Sequence, residues 1–132
     1  MDISIIGTSQ ITDYVINKII NHTEKISVYS DKHDYNFENK NKSKEKIEIL
    51  TKNNLEDEIP NIAKSSEIIF LLTESDSFNS FSHKKIIHNE PNKKIVLLIN
   101  DIEIYEIYKE MNISVINPTE LDNQDFAYLV KG

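Results

Sequence analysis

The chain has 132 residues and a net charge of −7, with no cysteine, no tryptophan and two glycines, of which only Gly7 lies inside it. That length fits one domain, read here as residues 1–132, and the balance of 39% hydrophobic to 28% charged residues is that of a folded chain. The missing cysteines exclude disulfides, thiolate zinc sites and cysteine nucleophiles, and a single internal glycine excludes an intact G-x-G-x-x-G or Walker A loop.

Short apolar runs alternate with amphipathic ones along the chain. Asp2 to Ile6 is β-branched and ends at Gly7, which predicts a strand. Ile11, Tyr14, Val15, Lys18 and Ile19 recur at helical spacing, so a helix is expected over residues 10–21. Ile26 to Ser30 is a second strand, followed by a polar stretch to Lys46, and Ile47 to Leu50 is a third. Leu55 to Lys64 predicts a helix disturbed by Pro60, which lacks a donor and crowds the preceding turn. Glu67 to Leu72 and Lys94 to Ile99 are strands apolar on both faces. Between them residues 76–88 predict a helix, with Phe78, Phe81, Lys85 and Ile86 near one face. Asp101 caps a helix to Met111, and Ile113 to Ile116 is a sixth strand. Asn117 and Pro118 open a last helix, expected to run to Val130.

Six strands alternating with helices predict an α/β fold. Strands apolar on both faces belong to a parallel sheet covered by helices on both sides. The expectation is a Rossmann-like, doubly wound, mostly parallel six-stranded sheet. Ligands on such sheets sit beyond the carboxyl ends of the strands. The loops to inspect are therefore residues 7–11, 30–32, 51–53 and 73–76.

All fifteen basic residues are lysine. An acidic chain without arginine is a poor match for phosphate and guanine readout, so no nucleic-acid partner is expected. The Lys40 to Lys46 run is interleaved with Glu45 and reads as a solvated face. No run approaches the length of a membrane span, and no basic leader precedes the first strand, so a cytoplasmic protein without membrane insertion is expected.

The order and spacing of several segments carry a resemblance. Ile5-Ile6-Gly7 is followed by a helix and by a strand ending near Asp31. The run Leu72-Thr73-Glu74-Ser75-Asp76 follows with Asn79, then Asn100-Asp101 and Asn117-Pro118-Thr119-Glu120. Over residues 2–130 this resembles the RCK N-terminal family, the TrkA N-terminal or regulator of potassium conductance domain. The resemblance implies a domain that binds NAD(H) or an adenine nucleotide, pairs into dimers and regulates a membrane potassium transporter or channel subunit. Many members carry a further C-terminal regulatory domain; none follows within these 132 residues, so a stand-alone module is expected. The nucleotide contacts carried over are Gly7, Thr8, Ser9, Gln10, Ile11, Ser30, Asp31, Thr51, Thr73, Asp76 and Asn79.

Several of these positions depart from the family pattern. Gly7 stands at the first fingerprint glycine, but Ser9 stands at the second and Thr12 at the third. Ser9 brings a hydroxyl where pyrophosphate oxygens approach, and Thr12 brings a β-branched side chain where helix and strand press together. The amides of Ser9, Gln10 and Ile11 are expected to remain free for an anion. The family's ribose-binding acid aligns with Ser30, with Asp31 one residue on. Leu50-Thr51-Lys52-Asn53 replaces the usual Gly-Asp-Ala-Thr. Weakened or lost nucleotide binding is therefore expected.

Other constellations point to alternatives. Tyr14 with Lys18 and Tyr105 with Lys109 have the Tyr-x-x-x-Lys spacing of short-chain dehydrogenases, where an ammonium lowers a phenol's pKa. Ser75 or Ser77 would be the upstream serine. An atypical NAD(P)-dependent oxidoreductase is thus an enzyme alternative, against the reading of both pairs as helix-face neighbours. Asp31, Lys32, His33 and Asp34 lack further ligands for a metal, and His83 and His88 read as surface histidines. Glu74 and Asp76 could do acid–base work, but Asp76 is expected to cap the following helix. Acidic residues crowd the chain beyond Asp101, and Leu121, Phe126, Leu129 and Val130 form an apolar stripe. A homodimer through the last two helices is expected, and a dimeric interaction protein without ligand is a further alternative.

Overall fold

The structure is a computed structural model, and it describes residues 2–32 and 46–123. The expected last helix beyond Asn123, the stripe residues Phe126, Leu129 and Val130, the His33–Asp34 pair and most of the Lys40 to Lys46 run lie outside the described residues.

Strands β1 (Asp2–Ile6), β2 (Lys25–Ser30), β3 (Ile47–Thr51), β4 (Ile68–Leu71), β5 (Lys94–Leu98) and β6 (Val115–Ile116) form one sheet in the order β3-β2-β1-β4-β5-β6. Every pairing is parallel, with Ile5 opposite both Val28 and Phe70. The order reverses direction between β1 and β4, which makes the gap between their carboxyl ends the topological switch point of a Rossmann-like fold. Among the described residues four α-helices connect the strands: α1 (Thr12–Ile19), α2 (Leu55–Ser65), α3 (Asp76–Asn89) and α4 (Ile102–Glu110).

The period of two in each strand divides the core into two layers. Ile3, Ile5, Ile26, Val28, Phe70, Val96 and Leu98 pack with Val15, Ile16 and Ile19 of α1. Ile6, Ile69, Leu71, Ile95, Leu97 and Ile99 pack with Leu55, Ile59, Ile62 and Ala63 of α2, Ile86 of α3 and Tyr105 of α4. Helices therefore cover both faces. Among the described residues no helix is long and apolar enough to cross a membrane.

Local structure differs from expectation at four places. Pro60 leaves α2 unbroken, because its ring is exposed while Leu55, Ile59, Ile62 and Ala63 pin the opposite stripe to the sheet. The face that α3 buries is Asn79, Ser82 and Ile86, and Phe81 stands 59% exposed. Ser75 caps α3 by accepting from the Phe78 amide, a role that falls to it and not to Asp76. After β6 the chain makes 3-10 turns over Pro118–Asn123, kinked at Glu120, where an α-helix was expected to begin.

Left-handed backbone occurs at two described positions. Asn112, at φ 61°, closes α4 with bonds from its own amide to the Lys109 carbonyl and from the Ile113 amide to the Tyr108 carbonyl. In this glycine-poor chain asparagine, the next most tolerant residue, fills that helix-ending position. Gly7, at φ +86°, is the other. A Cβ there would sit 2.9 Å from both the Cα and the amide nitrogen of Thr73, and closer still to Thr73 Cγ2. The glycine is thus required by the approach of the β4 end to the β1 turn, with or without a ligand.

Candidate functional site

Among the described residues two cavities open at the carboxyl edge of the sheet, and Glu74 lines both. One, of about 420 Å³, lies towards α2 and α3 and is lined by Thr8, Asp31, Lys32, Asn53, Asn54, Leu55, Glu56, Thr73, Glu74, Ser75 and Phe78. The other, of about 440 Å³, lies towards α1 and is lined by Ser9, Gln10, Ile11, Glu74, Leu98, Asn100 and Pro118. The Lys32 ammonium meets the Glu74 carboxylate at 3.2 Å, joining the loops after β2 and β4 across the β1 turn. Both groups are largely solvated, so this pair contributes under about 1 kcal/mol.

The loop between β1 and α1 closes on itself. The Ser9 amide donates to Thr12 Oγ1 at 2.9 Å, and the Thr12 amide donates to the Ser9 carbonyl at 3.2 Å. Only the returning half of a capping box is made, in which the Thr12 hydroxyl accepts from the Ser9 amide, and the other bond is a backbone turn. The first bond corrects the expectation of three free amides, because Thr12, fully buried, has taken the Ser9 donor. The Gln10 and Ile11 amides have no partner among the described residues. The Ser9 hydroxyl oxygen is buried without a hydrogen-bond partner.

Ser30, fully buried, turns its hydroxyl to the Lys32 amide at 3.0 Å and to Thr8 Oγ1 at 3.4 Å. It lines neither cavity, and neither does Thr51. Asp31, one residue on, is exposed and lines the first cavity, so the acid does reach the crevice, although displaced along the chain. Three carboxylates, those of Asp31, Glu56 and Glu74, face this cavity against the single ammonium of Lys32. An excess of negative charge opposes a phosphate-bearing ligand.

Thr73, Asp76 and Asn79, three of the contacts expected from the sequence, spend their polar groups on each other and on the loop after β5. Asn79 Nδ2 donates to the carbonyls of Thr73 (2.9 Å) and Leu98 (2.8 Å), while its Oδ1 accepts from the Thr73 hydroxyl (2.7 Å) and amide (3.2 Å). Asp76 accepts from the Asn100 amide at 2.7 Å and the Asp101 amide at 2.9 Å. Asn117 extends the chain of bonds, donating to the carbonyls of Ile99 (2.9 Å) and Asn100 (3.2 Å). Asp76 and Asn79 line neither cavity.

Lys32 and Asn53 lie in loops that the sequence marked, though not among the carried-over contacts, and Asn54, Leu55, Glu56 and Phe78 of this rim lie outside those loops. Only Asn54 carried a local signal, as the cap of α2 that accepts from the Glu56 amide. The tyrosine–lysine pairs are helix-face neighbours. Lys18 lies 5.5 Å from the centre of the Tyr14 ring, and Lys109 lies 5.4 Å from that of Tyr105. Tyr105 is buried in the core, Tyr14 donates to the Leu121 carbonyl, and neither lines either of these two cavities. His83 corrects the surface reading: it is partly buried, and burial first, then neighbouring Lys84, pushes its pKa down. Among the described residues no group of three or more acidic or histidine side chains is placed to hold a metal ion. The chain matches no protein-family model and none of the curated proteins with which it was compared.

Proposed function

We propose that this chain is a non-catalytic regulatory module of the RCK N-terminal kind, in which the dinucleotide crevice keeps its frame and has weakened or lost its hold on phosphate. The observation that carries this reading is the Ser9 amide bound to Thr12 Oγ1, where the fingerprint would leave a donor free for pyrophosphate. The carboxylates around the first cavity point the same way. A small oxidoreductase finds no support in the tyrosines, since neither phenol reaches the crevice.

On the resemblance, the partners are a second copy of the chain and a membrane potassium transporter or channel subunit. The exposed stripe of Ile104, Ile107 and Met111 on α4 supports pairing through this helix. Calorimetric titration with NADH, ATP and ADP tests the nucleotide reading. Millimolar or absent binding is expected for all three, with measurable gain in the Ser9→Gly, Thr12→Gly double variant, which frees the amide and opens the approach. Micromolar binding to the unaltered chain would overturn the reading. Light scattering tests the pairing, which a monomer mass at micromolar concentration would rule out.

A further inference from the structure

The sheet ends in two unlike edges. β6 has two residues, and an edge that short offers little to pair with. β3 has five, in unbroken register with β2 from Ile26 opposite Ile47 to Ser30 opposite Thr51. The Lys52 amide donates to the Ser30 carbonyl at 2.8 Å. Alternate residues of a strand turn their N–H and C=O groups to opposite sides. Lys52, Leu50 and Glu48 therefore bond inward to β2, and Ile47, Ile49 and Thr51 direct their backbone groups out of the sheet. Those outward groups have no hydrogen-bond partner among the described residues. No proline or bulge interrupts the row.

The side chains divide with the same period. Ile47 and Ile49 pack, partly buried, beside the layer that α1 covers, and Thr51 shares their face. Glu48, Leu50 and Lys52 lie on the other face. Glu48 is exposed and meets Lys25 at 3.1 Å, Leu50 is partly buried, and Lys52 makes no ion pair among the described residues. One face of this edge thus presents an acid, a leucine and a base in succession, an order that is complementary to itself when reversed.

We propose that β3 is a pairing edge for a second copy of this chain, joined antiparallel about a two-fold axis through Leu50, so that the two sheets become one. Backbone direction and charge together select this register. Outward groups meet outward groups only where odd-numbered residues face odd-numbered ones, so a slip by one residue loses the bonds. With the axis at Leu50, Ile49 exchanges both backbone bonds with Thr51 of the second copy. Glu48 then faces Lys52 of the second copy, and Lys52 faces its Glu48. Leu50 meets its counterpart at a non-hydrogen-bonded position, where opposing side chains stand closest. An axis at Ile49 would set Lys46 against Lys52, and an axis at Glu48 would set that carboxylate against its own copy; both oppose like charges or leave the acid unmatched. The proposal is separate from the pairing through α4 and from the nucleotide reading, because β3 shares no residue with α4 and lines neither cavity of the crevice.

The test is amide hydrogen exchange of the full chain, read by NMR from micromolar to millimolar concentration. The Ile49 and Thr51 amides are expected to exchange freely when dilute and about tenfold or more slowly when concentrated, while the Leu50 amide, bonded to β2, is protected throughout. Thr51→Pro removes an outward donor without touching a bond to β2, and should abolish the concentration-dependent protection of Ile49. Lys52→Glu and Glu48→Lys should each weaken pairing about tenfold, and the two together should restore most of it. The charge exchange decides alone if Thr51→Pro does not fold. Ile107→Glu, which breaks pairing through α4, should leave the protection of Ile49 and Thr51 in place. The proposal fails if exchange at Ile49 and Thr51 is independent of concentration, or if folded Thr51→Pro keeps the protection. It also fails if the exchanged-charge variant pairs no better than either single one, or if Ile107→Glu abolishes the protection.

Discussion

The two halves of the carboxyl edge use polar residues in opposite ways. Beyond β4, β5 and β6, Asn79, Asp76 and Asn117 bind one another's loops, and each carbonyl or amide they reach belongs to the chain. Beyond β1, β2 and β3 the loops carry Asp31, Lys32, Asn53 and Glu56 outward, around open space. The difference teaches that likeness to a binding motif and availability for binding are separate properties. Thr73, Asp76 and Asn79 are the contacts on which the proposed resemblance leans most, yet their hydrogen-bonding capacity is spent on joining β4 to β5. The side chains with capacity to spare lie on the half where the pattern is least kept.

The sharpest break of this comparison is at the hinge between the halves. Gly7→Ala combines a left-handed residue with overlap on the Thr73 backbone, and a loss of about 3–5 kcal/mol is expected from the denaturation midpoint. A loss under about 1 kcal/mol would mean that the β1 turn and the β4 end can part freely. Next is Asn79→Ala, which leaves the Leu98 carbonyl and the Thr73 amide without their partner in a buried place. About 2–3 kcal/mol is expected. A variant of unchanged stability would return Asn79 to the list of ligand contacts.

Asp76→Ala should cost about 1–2 kcal/mol, since a charge-assisted pair of bonds to Asn100 and Asp101 goes, although water can reach both amides. Lys32→Ala should change stability by under about 0.5 kcal/mol, because its ion pair with Glu74 is solvated. A larger loss would show that the two halves are strapped together across the switch point.

The pH dependence adds a test on α3. His83 is held neutral by burial and by Lys84, so its folded pKa lies below its unfolded value of about 6.5. Its stabilising contribution is complete above that value and is lost as pH falls through the lower folded pKa. Unfolding midpoints should therefore decline on acidification from neutral pH, and His83→Gln should flatten that part of the curve. An unchanged curve in the variant would assign the decline to other groups.

Much of the fold was legible because its signals are local. Short β-branched runs, helical spacing in α1 and the Asp101 cap each act within a few residues. Handedness rules then restrict the strand order. The errors fell where a distant partner decided the outcome. Spacing set Phe81 on one face with Phe78, Lys85 and Ile86, but Asn79, bonded to Thr73 and Leu98, and Ser82 form with Ile86 the face that α3 buries, and Phe81 is exposed. Pro60 reads as a disturbance of the helix in isolation, and the burial of Ile59 and Ile62 on the sheet kept α2 whole.

The sequence by itself determined the alternation of strands and helices, the parallel sheet and the position of the one glycine the β1 turn requires. These follow from side-chain period and backbone sterics, which act along the chain. Only the tertiary structure decided what the polar residues of the crevice do. It bound the Ser9 amide to Thr12, tied Asp76 and Asn79 to β5, and left Asp31 and Lys32 at the mouth. A hydrogen-bonding group is committed or free according to what lies within about 3 Å of it. For most of these groups that neighbour is supplied by a loop from another part of the chain.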